Sequence, residues 1–196
     1  MGAAYQRKSA VDRRQDLIQA GIACLGKHGM SGFTVENICA QAGVSRGLIN
    51  HHFSGKQGLL LSIYAEMTEY LIQTPQASTA DTALVAAIDA NFDEQSFNQS
   101  NLRAWLSIWG QVATHAELRA LHRERYQRYQ SWIEEALSAI SRRYKLRFDS
   151  ASVARQLIAV IDGLWLAYCL DPEKFSLQTA RGECYRFLNQ YGIKLV

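Results

Sequence analysis

The sequence predicts an all-α fold of about nine helices. Apolar residues make up 48% of the 196 residues and only 2 are prolines, a composition that permits long uninterrupted helices. Apolar side chains recur at helical spacing, and no segment shows the alternation typical of a half-buried strand. The length allows one compact domain, or two small ones that share a core.

The first helix is predicted from about Val11 to Gly29, because a glycine there can end it. Apolar residues, including Leu17, Ile18 and Leu25, fall on one face, and most polar residues fall on the opposite face. This amphipathic pattern predicts a helix packed against a core.

Two short helices joined by a tight turn are predicted next. Thr34 stands at the N-cap position before VENICAQA, and Gly43 can adopt the positive φ that ends this helix. Ser45 can cap the following helix, predicted from about Arg46 to Phe53. Two short helices connected in this way form a helix-turn-helix.

The rest of the chain is predicted as longer helices. One runs from Lys56 to about residue 73, and TPQASTA at 74–80 is typical of a linker. Five more are predicted near 81–93, 99–114, 117–146, 150–170 and 176–191. The chain therefore divides into an N-terminal three-helix head (1–55), a connecting helix (56–74) and a C-terminal helical body (75–196).

The segment 153–170 is apolar on almost every face, and Asp162 is nearly its only charge. A helix of this kind must be covered on all sides. The hairpin formed by residues 150–191 is therefore a candidate for pairing with its copy in a homodimer.

Several features indicate a cytoplasmic protein. The longest apolar run, LIAVIDGLWLAYCL at 157–170, contains a charge and is shorter than the roughly 20 residues of a membrane-spanning helix. The N-terminus lacks the apolar stretch of a signal peptide. The four cysteines lack zinc-type spacing and lie among apolar residues, so we expect buried, reduced thiols at Cys24, Cys39, Cys169 and Cys184.

The positive charge is concentrated in the head. Residues 1–56 carry seven Lys or Arg against three Asp or Glu, a net charge of +4, whereas the remainder has a net charge of −1. This asymmetry predicts a polyanionic partner for the N-terminal region.

The stretch SRGLINHHFSGK at 45–56 allows three interpretations: a metal site, a catalytic site or a contact surface. His51 and His52 point about 100° apart on a helix, and no third ligand stands three or four residues away. The sequence contains no GxSxG elbow and no plausible catalytic triad. We therefore expect that the protein binds no metal ion and no cofactor, and that it is not an enzyme.

A DNA-contacting helix explains these positions better. Arg46 can donate to guanine or to phosphate, and Gly47 lets the backbone approach the duplex. Leu48 can contact a thymine methyl group, and Asn50 can bind an adenine edge.

The flanking polar residues suit the DNA backbone. His51 and His52 can reach phosphate oxygens, and Lys56 stands at the start of the next helix, where free N–H groups attract phosphate. The alternative is that all these side chains are simply solvated.

The segment TVENICAQAGVSRGLINHHFSGKQGLL, with the helix before it, resembles the N-terminal domain of TetR-type transcriptional repressors over about residues 10–60. The resemblance implies that the second short helix enters the major groove and that a dimer reads a palindromic operator. Asn50 departs from the tyrosine often found there. By position, the implied DNA contacts are Thr34, Arg46, Gly47, Leu48, Asn50, His51, His52 and Lys56.

The body combines many aromatic residues with one carboxylate in an apolar helix. Asp162 is costly to bury unless it is paired, and no Lys or Arg is nearer in sequence than Arg155. A quaternary ammonium, held by aromatic faces and a carboxylate, is one possible partner. The alternatives are an aromatic core and a hydrogen bond from Asp162 to a neighbouring helix. The predicted ligand-binding residues are Phe92, Trp105, Trp109, Asp162, Trp165 and Tyr168.

Three body segments, NFDE, LRAWLSIW and LIAVIDGLWL, are similar to those of choline-responsive repressors within the TetR family. This resemblance implies choline as the ligand, betaine aldehyde as a second one, and control of choline uptake and glycine betaine synthesis genes. Two alternatives stay open. One is a TetR-type repressor that senses another cationic or aromatic compound, and the other is an all-helical enzyme or scaffold.

Overall fold

The computed structural model describes residues 10–72, 79–94, 96–174 and 176–195. These residues contain helices and no strand, which confirms the all-α prediction. Most of the predicted linker at 74–80 lies outside the described residues. The helices are α1 (Ala10–Gly32), α2 (Val35–Ala42), α3 (Gly47–Phe53), α4 (Lys56–Ile72), α5 (Ala80–Asn91), α6 (Gln99–Val112), α7 (Ala116–Tyr144), α8 (Ser150–Leu170) and α9 (Leu177–Asn189), with a 3₁₀ turn at Pro172–Lys174.

The capping residues of the head act largely as the sequence predicts. Gly29 interrupts α1 with a φ of 63°, and the chain continues for one more turn to Gly32. The hydroxyl of Thr34 accepts a hydrogen bond from the backbone N–H of Asn37 at 3.2 Å, and Gly43 ends α2 with a φ of 65°. These contacts confirm the predicted boundaries of α2.

The prediction that Ser45 caps α3 is wrong. Helix α3 begins at Gly47, and its N-cap is Arg46, which already has helical dihedral angles and makes no side-chain cap bond. The carbonyl of Ser45 instead accepts from the N–H of Leu48 at 3.2 Å. A tight turn therefore starts the helix without a hydroxyl cap.

Close packing joins the head to the body. Helix α4 packs against α1 and α3 in the head and against α5 and α7 in the body. Helix α1 also contacts α6 directly, and a Cβ placed on Gly26 would lie 2.3 Å from Oγ of Ser100. The head is thus attached to the body through α1 as well as through α4.

Helix α8 packs against α6, α7 and α9. By length and composition alone it meets the criterion for crossing a membrane, with a mean hydropathy of 1.5 over a window of 18 residues. The core helix of a folded domain meets the same criterion. Leu166 and Leu170 on this helix are 43% and 73% exposed, so part of its apolar surface is uncovered within one chain.

The four cysteines are free thiols, as the sequence predicts. Cys24, Cys39 and Cys184 are buried, whereas Cys169 is only half-buried. Burial raises the pKa of Cys184 to about 12, so this thiol stays protonated.

Candidate functional site

Helix α3 turns two side chains inward and leaves the others at the surface. Ile49 and Phe53 are buried in the core of the head, as the sequence predicts. Arg46, Gly47, Asn50 and His51 are exposed, and Leu48 and His52 are half-buried. The short helix therefore presents a polar face that makes few contacts within the chain.

The exposed face is continuous with the start of two neighbouring helices. Thr34 lies at the N-terminus of α2, and Lys56 is exposed at the first residue of α4, which packs against α3. The hydroxyl of Thr34 already accepts the capping bond from Asn37, so its O–H remains available as a donor. All eight residues predicted to contact DNA thus belong to one stretch of α2, α3 and α4.

Two residues of this face have properties suited to contact with another molecule. Nη1 of Arg46 lies 3.2 Å from Oε1 of Glu36, and both side chains are well exposed. Such a surface ion pair contributes about 0–1 kcal/mol, so a phosphate or guanine can replace it. A Cβ on Gly47 would meet nothing within 4 Å, so packing within the chain does not require this glycine.

The second candidate site is a small cavity between helices α4 to α8. Aromatic and aliphatic side chains line most of it. The lining residues are Tyr64, Thr68, Leu71, Ile72, Asn91, Trp105, Trp109, Arg125, Tyr126, Tyr129, Asp162 and Trp165.

Three tryptophans form one connected wall of the cavity. The ring centroids of Trp105 and Trp109 are 5.7 Å apart, and those of Trp105 and Trp165 are 5.5 Å apart. Trp109 stacks on Trp165 with an interplanar angle of 19° at 6.4 Å. Their π faces provide the negative quadrupole that attracts cations.

Asp162 supplies the carboxylate beside this wall. Its Oδ2 accepts a hydrogen bond of 2.5 Å from the hydroxyl of Tyr126. Burial raises the pKa of Asp162 to about 6, and the hydrogen bond from Tyr126 opposes that shift. No Lys or Arg in the described ranges forms an ion pair with Asp162. The predicted alternative, a hydrogen bond to a neighbouring helix, is therefore present, but it leaves the negative charge without a cation.

A chain of hydrogen bonds fixes the deep end of the cavity. The indole N–H of Trp165 donates to the carbonyl of Asn91 at 3.1 Å, and Nδ2 of Asn91 donates to the hydroxyl of Tyr129 at 2.8 Å. These residues belong to α5, α7 and α8, so their bonds hold the Trp165 ring at a fixed orientation. A rigid wall loses little entropy when a ligand binds.

The hydroxyl of Tyr64, on α4, lies 2.6 Å from Nδ1 of His122, on α7. Burial raises the pKa of Tyr64 and lowers the pKa of His122, so both groups are neutral at physiological pH. The hydrogen bond between them therefore joins two neutral groups. His122 lies beside the cavity next to Asp162.

Four of the six predicted ligand-binding residues line the cavity: Trp105, Trp109, Asp162 and Trp165. Phe92 and Tyr168 do not line it. Both pack against Phe97, with ring centroids 5.3 and 4.3 Å from its ring. This neighbouring aromatic cluster is outside the cavity lining, because these side chains project from α5 and α8 in other directions.

Several cavity residues were not predicted from sequence. Tyr64, Tyr126 and Tyr129 line the cavity but are not among the predicted ligand-binding residues. No sequence pattern predicts Arg125 as a cavity residue, because its position beside the cavity depends on how α7 packs against α4. Within the described ranges, no group of three or more His, Cys, Asp or Glu side chains is placed to hold a metal ion.

Comparison with known families matches both parts of the chain. Residues 17–63 match the family of bacterial regulatory proteins named after TetR. Residues 80–191 match the C-terminal domain of BetI-type transcriptional repressors. The two matches cover the head and the body separately.

Individual proteins agree with these matches. The chain is 33% identical over 186 residues to the HTH-type transcriptional regulator BetI of Cronobacter sakazakii, covering 91% of this chain and 90% of that protein. A transcriptional regulator from Pseudomonas aeruginosa has a TM-score of 0.78 and 32% identity, covering 96% of this chain and 94% of that one. A regulator from Saccharomonospora viridis, crystallised in complex with choline, has a TM-score of 0.79 at 18% identity, covering 91% and 96%. At 18% identity, this similarity shows only that the two proteins share a fold.

Proposed function

The chain belongs to the TetR family of bacterial transcriptional regulators and carries a BetI-type repressor C-terminal domain, and from this we propose that choline is the inducer that releases it from operator DNA. The chain is thus a transcriptional repressor and not an enzyme. The identity of the inducer and the identity of the controlled genes are what we propose.

The observation that carries the proposal is a carboxylate without a cation beside three tryptophan rings. Asp162, Trp105, Trp109 and Trp165 line the same small cavity. A quaternary ammonium has no N–H to donate, so aromatic faces and a carboxylate are the groups that can hold it. Three faces at about 0.5–2 kcal/mol each supply roughly 2–6 kcal/mol. With some charge pairing, that corresponds to binding in about the micromolar to millimolar range.

The relatives favour the same ligand. The curated relatives carry the name of the BetI regulator, and the Saccharomonospora viridis regulator of the same fold was crystallised with choline. We extend the proposal to the genes of choline uptake and glycine betaine synthesis, which the similarity of the body segments implies.

We propose that the exposed face of α3 enters the major groove of the operator. Arg46, Leu48 and Asn50 would contact base edges, and Gly47 would let the backbone approach the duplex. Thr34, His51, His52 and Lys56 would contact phosphates. The net charge of +4 over residues 1–56 supports this orientation of the head.

Regulators of this family typically dimerise, and the uncovered leucines of α8 favour α8 and α9 as the surface of a homodimer. Helix α4 provides a route from the cavity to the head, since Tyr64 and Thr68 line the cavity and Lys56 begins the same helix. Choline would favour a dimer whose heads no longer match the operator spacing. A coupling of about 1–3 kcal/mol would lower operator affinity roughly 5- to 150-fold. Action on chromosomal DNA would place the protein in the cytoplasm.

A footprint on the DNA upstream of the protein's own gene, at fixed salt and with increasing choline, tests this function. We expect a protected palindrome that choline deprotects. Protection that persists at saturating choline would reject choline as inducer. The alternative, another cationic or aromatic inducer, would then be tested in the same assay with polyamines and toxic amphiphiles.

A further inference from the structure

Arg125 is the cationic residue in the cavity lining. Its side chain is only 17% exposed, and its Nη1 forms an ion pair with Glu69 on α4. Its Nε is buried and forms no hydrogen bond within the described part of the chain. A buried donor without an acceptor is unfavourable, and such groups in native proteins call for an explanation.

Arg125 and Tyr126 divide the cavity into two ends. They are neighbours on α7, so their side chains leave the helix about 100° apart. Tyr126 reaches α8, where it donates to Asp162, whereas Arg125 reaches α4, where it pairs with Glu69. The cavity therefore has a carboxylate on its α8 side and a guanidinium on its α4 side.

This arrangement orients a bound cation. An ammonium group is attracted by the carboxylate of Asp162, which has no cationic partner, whereas the charge of Arg125 is already paired with Glu69, so the cation occupies the α8 side near the tryptophans. The other end of the ligand then faces Arg125. The group that this guanidinium can accommodate is a hydrogen-bond acceptor, and an oxygen is the acceptor that satisfies a buried N–H.

An unpaired Nε does not by itself indicate that an arginine binds a ligand. Arg181 also has a buried Nε without a partner in the described residues, but it pairs with Asp89 away from the cavity lining. Arg125 differs because its spare donor belongs to a residue that lines the ligand cavity.

We propose that Arg125 is a specificity-determining residue: its spare N–H binds an oxygen of the ligand and selects quaternary ammonium compounds that carry one. The inference rests on the proposed function and deepens it. It assigns the ligand class as a small quaternary ammonium compound that carries an oxygen acceptor. Compounds of the same size without the oxygen leave Arg125 unsatisfied and bind more weakly.

Isothermal titration with two isosteric ligands tests the inference. Choline and trimethylpropylammonium differ only by a hydroxyl in place of a methyl group. We expect the wild-type protein to bind choline more tightly by about tenfold or more, the range of a hydrogen bond to a charged group. Equal affinities would overturn the inference, because no residue would then recognise the oxygen.

The variant Arg125→Lys keeps the positive charge beside Glu69 and removes the Nε–H. We expect the preference for choline over trimethylpropylammonium to fall to about twofold or less. The matched control is Arg128→Lys, on the same helix and 3.6 Å from the same Glu69 but outside the cavity lining. This control should keep the wild-type preference.

The outcomes separate the two proposals. If both ligands bind and Arg125→Lys lowers their affinities equally, the role of Arg125 fails while the cation site stands. If neither ligand binds the wild-type protein, the proposed function fails and this inference with it. If Arg125→Lys does not fold, the ligand comparison on wild-type protein still decides whether the oxygen is recognised.

Discussion

The hydroxyl of Tyr126, on α7, donates a hydrogen bond of 2.5 Å to Oδ2 of Asp162, on α8. This bond favours the ionised carboxylate, but burial outweighs it and raises the pKa of Asp162 to about 6. The carboxylate is therefore charged at neutral pH, and mild acid neutralises it. Its environment is costly for a negative charge and becomes favourable when a cation enters the cavity.

We expect choline affinity to depend on pH through Asp162. Below about pH 6 the carboxyl group becomes protonated and no longer attracts the cation, so the dissociation constant should rise by up to about tenfold per pH unit. Above about pH 7 it should be constant. Titration calorimetry between pH 5 and 8 measures this dependence.

The control for this pH dependence is Asp162→Asn, which keeps the shape of the side chain and an oxygen that can accept the hydrogen bond from Tyr126. It should bind choline weakly at every pH, with no slope between pH 5 and 8. His122 is another titratable group beside the cavity, and burial lowers its pKa. A slope that survives in Asp162→Asn would assign the pH dependence to His122 instead.

The same substitution should stabilise the protein without ligand. A carboxyl group with a pKa raised from 3.8 to about 6 holds its proton in the folded state where the unfolded chain has lost it. The free energy of unfolding therefore falls as pH rises from about 4 to 6. At pH 7, Asp162→Asn should raise the free energy of unfolding by roughly 1–2 kcal/mol. This is less than the full pKa shift implies, because Asp162 is only half-buried.

Denaturant unfolding with and without choline measures this trade-off between stability and ligand binding. Choline should stabilise the wild-type protein and have little effect on Asp162→Asn. A variant less stable than wild type at pH 7 would show that Asp162 stabilises the fold rather than serving a ligand.

Replacement of a cavity tryptophan should weaken choline binding. Trp109 is half-buried, so Trp109→Leu removes one aromatic face with limited damage to the core. The loss should be about 0.5–2 kcal/mol, or roughly 2- to 30-fold in affinity. Trp132→Leu is the matched control, because Trp132 is half-buried on α7 but outside the cavity lining. Equal effects of the two variants would contradict an aromatic cation site.

Arg46→Ala should reduce specific operator binding by about 1–3 kcal/mol if the side chain contacts a base pair. The ion pair with Glu36 is exposed and weak, so folding stability should change by less than about 1 kcal/mol. Arg123→Ala, at an exposed position of α7, is the matched control for loss of one positive charge. Fluorescence anisotropy with operator and unrelated DNA at several salt concentrations separates base recognition from phosphate contact.

The sequence predicts the head better than the cavity, for a physical reason. Thr34 and Gly43 act on backbone groups three or four residues away, so their roles follow from local spacing. Trp105 and Trp109 are also linked by helical spacing. By contrast, Arg125 and Tyr64 reach the cavity only because α7 packs against α4. Phe92 and Tyr168 have the right chemistry for the site but project elsewhere, which periodicity within one helix does not predict.

Gly47 in the head and Gly58 in the connecting helix allow a matched test of the proposed DNA surface. A Cβ on Gly47 meets nothing within 4 Å, and its φ is not positive. Gly47→Ala should therefore fold normally and gain about 0.5–1 kcal/mol of stability, since alanine is the better helix former. Its methyl group would stand where the backbone approaches DNA. An extra methyl in a closed contact costs about 1–3 kcal/mol, so operator affinity should fall roughly 5- to 150-fold.

Gly58→Ala should have the opposite profile. A Cβ on Gly58 would lie 1.8 Å from the carbonyl oxygen of Phe53, so α3 and α4 must move apart. We expect a clear loss of thermal stability, and loss of DNA binding only as the head unfolds. Melting curves and operator binding measured on both variants distinguish a surface contact from a packing contact. If Gly47→Ala binds the operator as tightly as wild type, the α3 backbone does not approach the duplex at this residue, and Arg46 and Asn50 must reach DNA from a different orientation of the head.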